Sequence, residues 1–381
     1  MVDVPCIHLN AAGAALPLPA AQSAAIEFMR EEFRLGPHWA AEKVSEKIAG
    51  TRAAAARLLQ APGASNIAFG ESATRLWASA LGALSFPAGA RLLLARCEWG
   101  GNVLNALKRA QSCGASVEFI PSDDAGRVDV QALAAALDER VIVVGLPVVS
   151  SGLGVRQPVE EVGLLVRTSE CLLFVDAAQA AGREPVTMTT WGADVVVAPA
   201  RKWLRGPRGQ AMMALSDRAL ALMGDPPLLD QEGSAWIAAR LWNTRRDARR
   251  FESFEFSPAG RLGFGAAIAH AEHNLEEIRT NLATALRHLR AGLQRIPGVR
   301  VFEDERGDAA FLTFLPADQG AADLVKRMRG AKVAIATVGL GYSRLDLEAR
   351  GLTEICRVAP HAYTTPEEID TFLGALAAQV A

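Results

Sequence analysis

Cysteine is scarce in this chain. The five residues Cys6, Cys97, Cys113, Cys171 and Cys356 are odd in number and scattered, with no CxxC pair and no zinc-ligand spacing. A disulfide framework or a metal site is therefore not expected. Charge of one sign is also missing: the formal net charge is −2, with acids and bases interspersed. That leaves no basic face for nucleic acid or an anionic membrane surface. Long apolar runs are absent, since residues 92–95 and 141–149 are only strand-length and are broken by charge or glycine,. The first residues include Asp3 and Pro5 and lack a basic stretch followed by an apolar one. No secretory signal is expected, and the cytoplasm is the expected compartment. No G-x-G-x-x-G follows the first strand, which weakens a nucleotide-binding oxidoreductase.

What is present is a large apolar fraction. Half of the 381 residues are hydrophobic and 22% are charged, a composition for a globular fold larger than a single-core unit. Helical spacing covers residues 20–33 and 40–59; strand patterns occur at 91–95, 117–120, 141–148, 172–175 and 195–198, with helices at 103–112 and 130–137 between them,. Asp129 reads as the N-cap of the latter helix. The strands at 141–148 and 172–175 are nearly all apolar, as in a parallel sheet covered on both faces. The rhythm gives an α/β fold with a mostly parallel central sheet and helices on both faces. Beyond residue 265 a long helix at 266–295 leads into shorter strands (299–302, 310–314, 333–335) and helices near 321–328 and 366–378. The expected division is an N-terminal segment at 1–20, a large domain at 21–264 and a smaller α+β domain at 265–381.

Three segments carry the chemistry. Asp176 closes the apolar strand of Phe174-Val175-Asp176-Ala177-Ala178-Gln179, where it either caps the next turn or meets a cation. Lys202, in Ala200-Arg201-Lys202-Trp203-Leu204, follows another apolar strand. It is either a snorkelling lysine or a desolvated amine fit for carbonyl chemistry. Phe69-Gly70-Glu71-Ser72-Ala73-Thr74-Arg75 passes from a strand end into a helix, as an ordinary N-cap or as a phosphate-receiving helix N-terminus. Taken in this order, with Lys202 lying 26 residues after Asp176, the three match what pyridoxal 5′-phosphate (PLP) requires. A carboxylate keeps the pyridine nitrogen protonated, and a lysine holds the aldehyde as a Schiff base.

The chain resembles the class V aminotransferase family of fold-type I PLP enzymes over nearly its whole length. The similar stretches are Leu9-Asn10-Ala11-Ala12-Gly13, Glu98-Trp99-Gly100-Gly101-Asn102, Ser150-Ser151-Gly152-Leu153-Gly154, Asp176 with Gln179, Lys202 with Gly206-Pro207-Arg208-Gly209, Phe251-Glu252 with Phe256-Ser257-Pro258, and Arg357-Val358-Ala359-Pro360-His361. The resemblance implies a small amino-acid substrate and a homodimer with the active site at the subunit interface. It implies cofactor contacts from Ser72, Ala73, Thr74, Trp99, Ser151, Asp176, Ala178, Gln179, Arg201 and Lys202, with Ser257 reaching a neighbour's cofactor phosphate. Trp99 is the candidate for stacking on the cofactor ring. Asn10, Ala12, Arg357 and His361 would bind substrate, the Arg357 fork gripping its α-carboxylate. Arg201 stands where many members have His before the lysine, and Ala200 where many have a hydroxyl residue.

The resemblance also bears on the reaction. Cysteine desulfurases of this family need a nucleophilic cysteine on a mobile C-terminal-domain loop. The matching stretch, Ile335-Ala336-Thr337-Val338-Gly339-Leu340-Gly341-Tyr342, has none, and Cys356 reads as a buried core thiol. The stretches around Lys202 and Arg357 look most like the C–S lyase of ergothioneine biosynthesis, which cleaves hercynylcysteine sulfoxide. An isopenicillin-N-epimerase-like epimerase or an aminotransferase is the alternative. Trp191, Trp236 and Trp242 read as packing or dimer contacts, and His38, His270, His273 and His288 as surface or helix residues. The arginine-rich run 245–250 reads as a solvated or interface face.

Overall fold

The computed structural model describes residues 7–304, 309–317 and 319–380, so Cys6 and the first six residues of the expected N-terminal segment lie outside it. The expected α/β architecture is present. Seven strands form one sheet in the order Ile67–Gly70, Ala211–Leu215, Val195–Pro199, Leu172–Asp176, Val141–Pro147, Arg91–Ala95, Ser116–Ile120. All neighbours are parallel except those of Ala211–Leu215, which runs antiparallel to both of its partners. Every residue of Leu172–Asp176 and Ala211–Leu215 is buried, because helices cover both faces. Asp129 does cap the helix Val130–Ala136, accepting from the backbone N–H groups of Gln131 and Ala132.

Three differences from the sequence reading have local causes. The helical stretch 40–59 is two helices, Pro37–Lys43 and Ser45–Leu58, broken at Val44. The strand Ala211–Leu215 is composed of Ala, Met and Leu, residues that favour helices, so its strand state comes from its place between two buried neighbours,. The long helix runs Pro258–Gln294. It starts earlier than its apolar spacing indicates because Pro258 is preset for the first helical turn and Ser257 caps it,.

That helix packs on Pro19–Leu35 and Ser45–Leu58, and also on Pro366–Val380, and it bends at Asn274. We place the boundary between the two sheets within it. The second sheet is antiparallel, in the order Val299–Val301, Leu312–Pro316, Glu354–Val358, Ala336–Gly339. The N-terminal segment joins this part of the fold: Ile7–His8 pairs with Val333–Ala334, and Asn10 bridges to Ala359. A hairpin, Ser234–Ala238 with Leu241–Thr244, projects Trp236 and Trp242 into solvent, whereas Trp191 is buried. Arg250, in the run expected as a solvated or interface face, is buried and donates to the Leu220 carbonyl. Among the described residues no helix is long and apolar enough to cross a membrane.

Two glycines test this packing in opposite directions. A Cβ at Gly163 would stand 1.8 Å from the Trp191 carbonyl oxygen, so Gly163→Ala should cost about 1–3 kcal/mol. Gly50, exposed within Ser45–Leu58, has open space around it, and Gly50→Ala should stabilise by about 0.5–1 kcal/mol. Denaturant midpoints of the two variants read both effects.

Candidate active site

The strand ends of the large sheet converge on one cavity of about 650 Å³, counting its open mouth. Its lining includes Ser72, Ala73, Thr74, Trp99, Ser151, Asp176, Ala178, Gln179, Arg201 and Lys202. Ten of the expected site residues, drawn from five separate stretches of chain, therefore face a single space at the carboxyl edge of the sheet, where α/β folds place ligands.

Lys202 sits in a loop that folds back on itself: the Gly206 N–H donates to the Ala200 carbonyl, and the Arg205 N–H donates to that of Lys202. The small Ala200 suits this closure, since a Cβ at Gly206 would lie 2.9 Å from the Ala200 methyl. Lys202 is buried. Burial pushes its ammonium down to about 7, opposed by Asp176 and aided by the charges of Arg201 and Arg357,. Burial likewise raises the Asp176 carboxyl, while the Lys202 charge, the Ala178 N–H and the Asn102 amide favour its ionised form. Asp176 thus both closes its strand and meets a cation; the two readings of the sequence are compatible.

Trp99 stands over the lysine, with its ring centroid 5.9 Å from the Lys202 Nζ. Its indole N–H donates to the Thr74 hydroxyl, and Tyr342 stacks on it at 5.5 Å. Glycines at 100 and 101 permit this, because a Cβ would lie 2.8 Å from the Gly341 carbonyl in the first case and 2.6 Å from the Trp99 Nε1 in the second. The stretch 335–342, which matches the desulfurases' cysteine loop, is the strand Ala336–Gly339 and the start of the helix Leu340–Ala349.

The donor set fits PLP. Ser72 caps the helix Ala73–Gly82, accepting from the Arg75 N–H. The first turn of that helix therefore offers N–H groups and a favourable dipole to a phosphate. The Ser151 hydroxyl is buried without a partner among the described residues, as a contact for the cofactor's 3′-oxygen would be before it is engaged. Lys202 suits the aldehyde, Asp176 the ring nitrogen and Trp99 a ring face.

Several expected residues are engaged by the protein's own groups. The Gln179 amide is spent on structure, donating to the Ala12 carbonyl and accepting from the Trp203 indole N–H. The Arg201 guanidinium donates to the Gly13 carbonyl. Arg357 is half-buried on the strand Glu354–Val358 and donates to the Ser151 carbonyl, while its Nε has no partner among the described residues. Asn10 does not line the cavity, and its Oδ1 is buried without a partner among the described residues. Ser257 caps the long helix and lines an adjoining cleft with Gln210 and Arg261. Glu252 accepts from the Phe69 N–H and so braces the strand leading to Ser72.

His361 corrects an expectation. It was expected to touch substrate, but its ring is stacked between Trp203 and Tyr363. Its Nε2–H donates to the Trp203 carbonyl, and its Nδ1 accepts from the Ala362 N–H. With both nitrogens used and burial holding its pKa at about 4, it is a brace. His8, beside it, is tied to the Tyr363 hydroxyl. The sequence reading did not single out Asn102, whose amide donates to Asp176 at 3.1 Å and to Glu98 at 3.0 Å. Its place one helical turn after Glu98, in a segment already tied to the site, was the available signal.

The aminotransferase class-V family model matches residues 7–372. A probable hercynylcysteine sulfoxide lyase of Mycobacterium tuberculosis is 30% identical over 98% of this chain and 90% of its own length. A probable cysteine desulfurase of Xylella fastidiosa is 28% identical, covering 89% of this chain and 82% of that protein. Among solved structures, the apo cysteine desulfurase of Thermococcus onnurineus superposes with a TM-score of 0.89 at 22% identity, over 98% of this chain and 94% of that one. A cystine C–S lyase bound to its product cysteine persulfide gives 0.87 at 20% identity, over 97% of each chain. At these identities the structures share the fold.

The electrostatics make one prediction for the protein without cofactor. The Lys202 amine should become reactive toward an acylating reagent with a midpoint near pH 7, and Asp176→Asn, which removes the charge that holds the ammonium up, should move that midpoint lower. Mass-spectrometric labelling rates across pH measure it; a midpoint near 10 would contradict the site.

Proposed function

Because the chain belongs to the aminotransferase class-V family, we propose that this PLP-dependent enzyme is a C–S lyase. Its substrate would be a cysteine conjugate or the sulfoxide of one, such as hercynylcysteine sulfoxide, and its products pyruvate, ammonia and a sulfur species. The observation that carries the proposal is a cavity holding a depressed-pKa lysine beside a buried carboxylate, with no cysteine in its lining among the described residues. The similarity to the Mycobacterium tuberculosis protein supports the substrate class.

When bound, PLP supplies an electron-accepting ring that stabilises negative charge at the amino-acid α-carbon. Asp176 would hold the proton on the ring nitrogen, its carboxylate kept in place by Asn102 and the Ala178 N–H. Once the substrate amine takes its place, Lys202 is the base that removes the α-proton, an amine largely able to accept one near neutral pH,. Arg357 would pair with the substrate carboxylate by its two-pronged fork and so fix which bond at the α-carbon breaks. Trp99 covers the lysine, and Tyr342 stacks on Trp99. The sulfur substituent on the β-carbon then leaves with its electron pair, and the three-carbon remainder hydrolyses to pyruvate and ammonia.

Persulfide transfer has the desulfurase relatives in its favour, but it needs a thiolate within reach of substrate. Among the described cysteines, Cys97, Cys171 and Cys356 are buried, and burial pushes the Cys356 thiol up to about 12,. Cys113 ends the helix Gly100–Cys113 away from the cavity lining. A homodimer completing the site is part of the same proposal: the cleft carrying Ser257 adjoins the cavity, sharing Glu71, Thr74 and Gln210 with it.

Incubation with S-substituted cysteine sulfoxides should release pyruvate stoichiometric with substrate lost. Lys202→Ala should abolish both that release and the yellow colour of the bound cofactor, for the loss of base and anchor together. Alanine formation with protein-bound persulfide, or racemisation without pyruvate, would overturn the lyase reading.

A further inference from the structure

The Glu98 carboxyl is buried at 2% exposure, in the turn between the strand Arg91–Ala95 and the helix Gly100–Cys113. Its Oε1 accepts from the Trp99 N–H at 2.8 Å and from the Asn102 side-chain amide at 3.0 Å. The same amide nitrogen donates to Asp176 Oδ2 at 3.1 Å. One NH2 group therefore links two buried carboxyls, and the second Glu98 oxygen has no partner among the described residues. We propose that Glu98 is a positioning residue for Asp176. Through the shared Asn102 amide it orients the carboxylate that meets the cofactor's ring nitrogen, and by staying neutral it keeps a single negative charge there. The proposal rests on the PLP reading above.

Two carboxylates this close in a dry site disfavour double ionisation. Burial first, and the Asp176 charge second, push the Glu98 carboxyl up to about 8. The groups facing it are few. Asp176 comes from the neighbouring strand, with Lys202 acting on it from beyond. Cys97 lies in the same turn, itself influenced by Asp346 and Arg96. On the strand Val141–Pro147, a Cβ at Gly145 would lie 3.9 Å from the second Glu98 oxygen. The Lys202 charge favours the ionised form of Asp176, while burial and the Asp176 charge favour the neutral form of Glu98. Its neutral form still accepts the two hydrogen bonds, so a glutamine can take its place geometrically.

The test compares wild type with Glu98→Gln and Glu98→Ala. Reconstituted with PLP, the wild type should show a pH-dependent change in visible absorption that Glu98→Gln lacks while keeping its PLP affinity. Glu98→Ala, which drops both hydrogen bonds, should bind PLP about ten-fold more weakly. Without cofactor the sign follows from linkage. Between the ordinary carboxyl value of 4.5 and about 8, the unfolded chain has released the proton that the folded protein keeps, so wild-type stability falls as pH rises through that window. The melting temperature of Glu98→Gln relative to wild type should therefore increase from pH 5 to 8.5. If the wild type takes up PLP but both pH profiles coincide with those of Glu98→Gln, the assignment of Glu98 is wrong. Failure of the wild type to take up PLP at all would overturn the underlying reading, and this one with it.

Discussion

The site depends on a lysine and an aspartate buried together at the ends of adjacent strands. Neither charge is stable alone in that environment, and each makes the other tolerable. The balance brings the amine down to about 7, while the amine's charge opposes the rise that burial gives the carboxyl. Burial supplies the depression of the amine; the neighbouring carboxylate limits it.

Around this pair the protein adds constraint rather than further charge. Asn102, the Ala178 N–H and the turn after Pro199 fix the aspartate and the lysine. Trp99 is held by a hydrogen bond, a stacking partner and two glycines that leave room for it. Gln179, which lines the cavity, and His361, which does not, both tie the loops of the large sheet to the N-terminal and C-terminal segments. Residues of one motif thus divide between touching the ligand and holding those that do. The helix Leu340–Ala349 carries Tyr342, which stacks on Trp99.

Much of this architecture was legible in the residue pattern. Strands with apolar runs covered on both faces, the Asp129 cap and the strand-end Asp176 and Lys202 all declared themselves locally, because burial on two faces and capping leave compositional marks within a few residues. The strand Ala211–Leu215 did not, since its residues favour helix and only its neighbours make it a strand. Nor did the break at Val44 or the projecting hairpin.

What the sequence determined alone is the chemistry available: a strand-end carboxylate, a strand-end amine, a capped helix start and a fork-shaped cation, in an order that fits one cofactor. What only the tertiary structure decided is which of these groups share a cavity and in what protonation state. A hydrogen bond and an opposing charge reach Asp176 from residues 74 and 26 positions away in the chain, Asn102 and Lys202, and no local pattern encodes a field summed over strands that meet only in the fold.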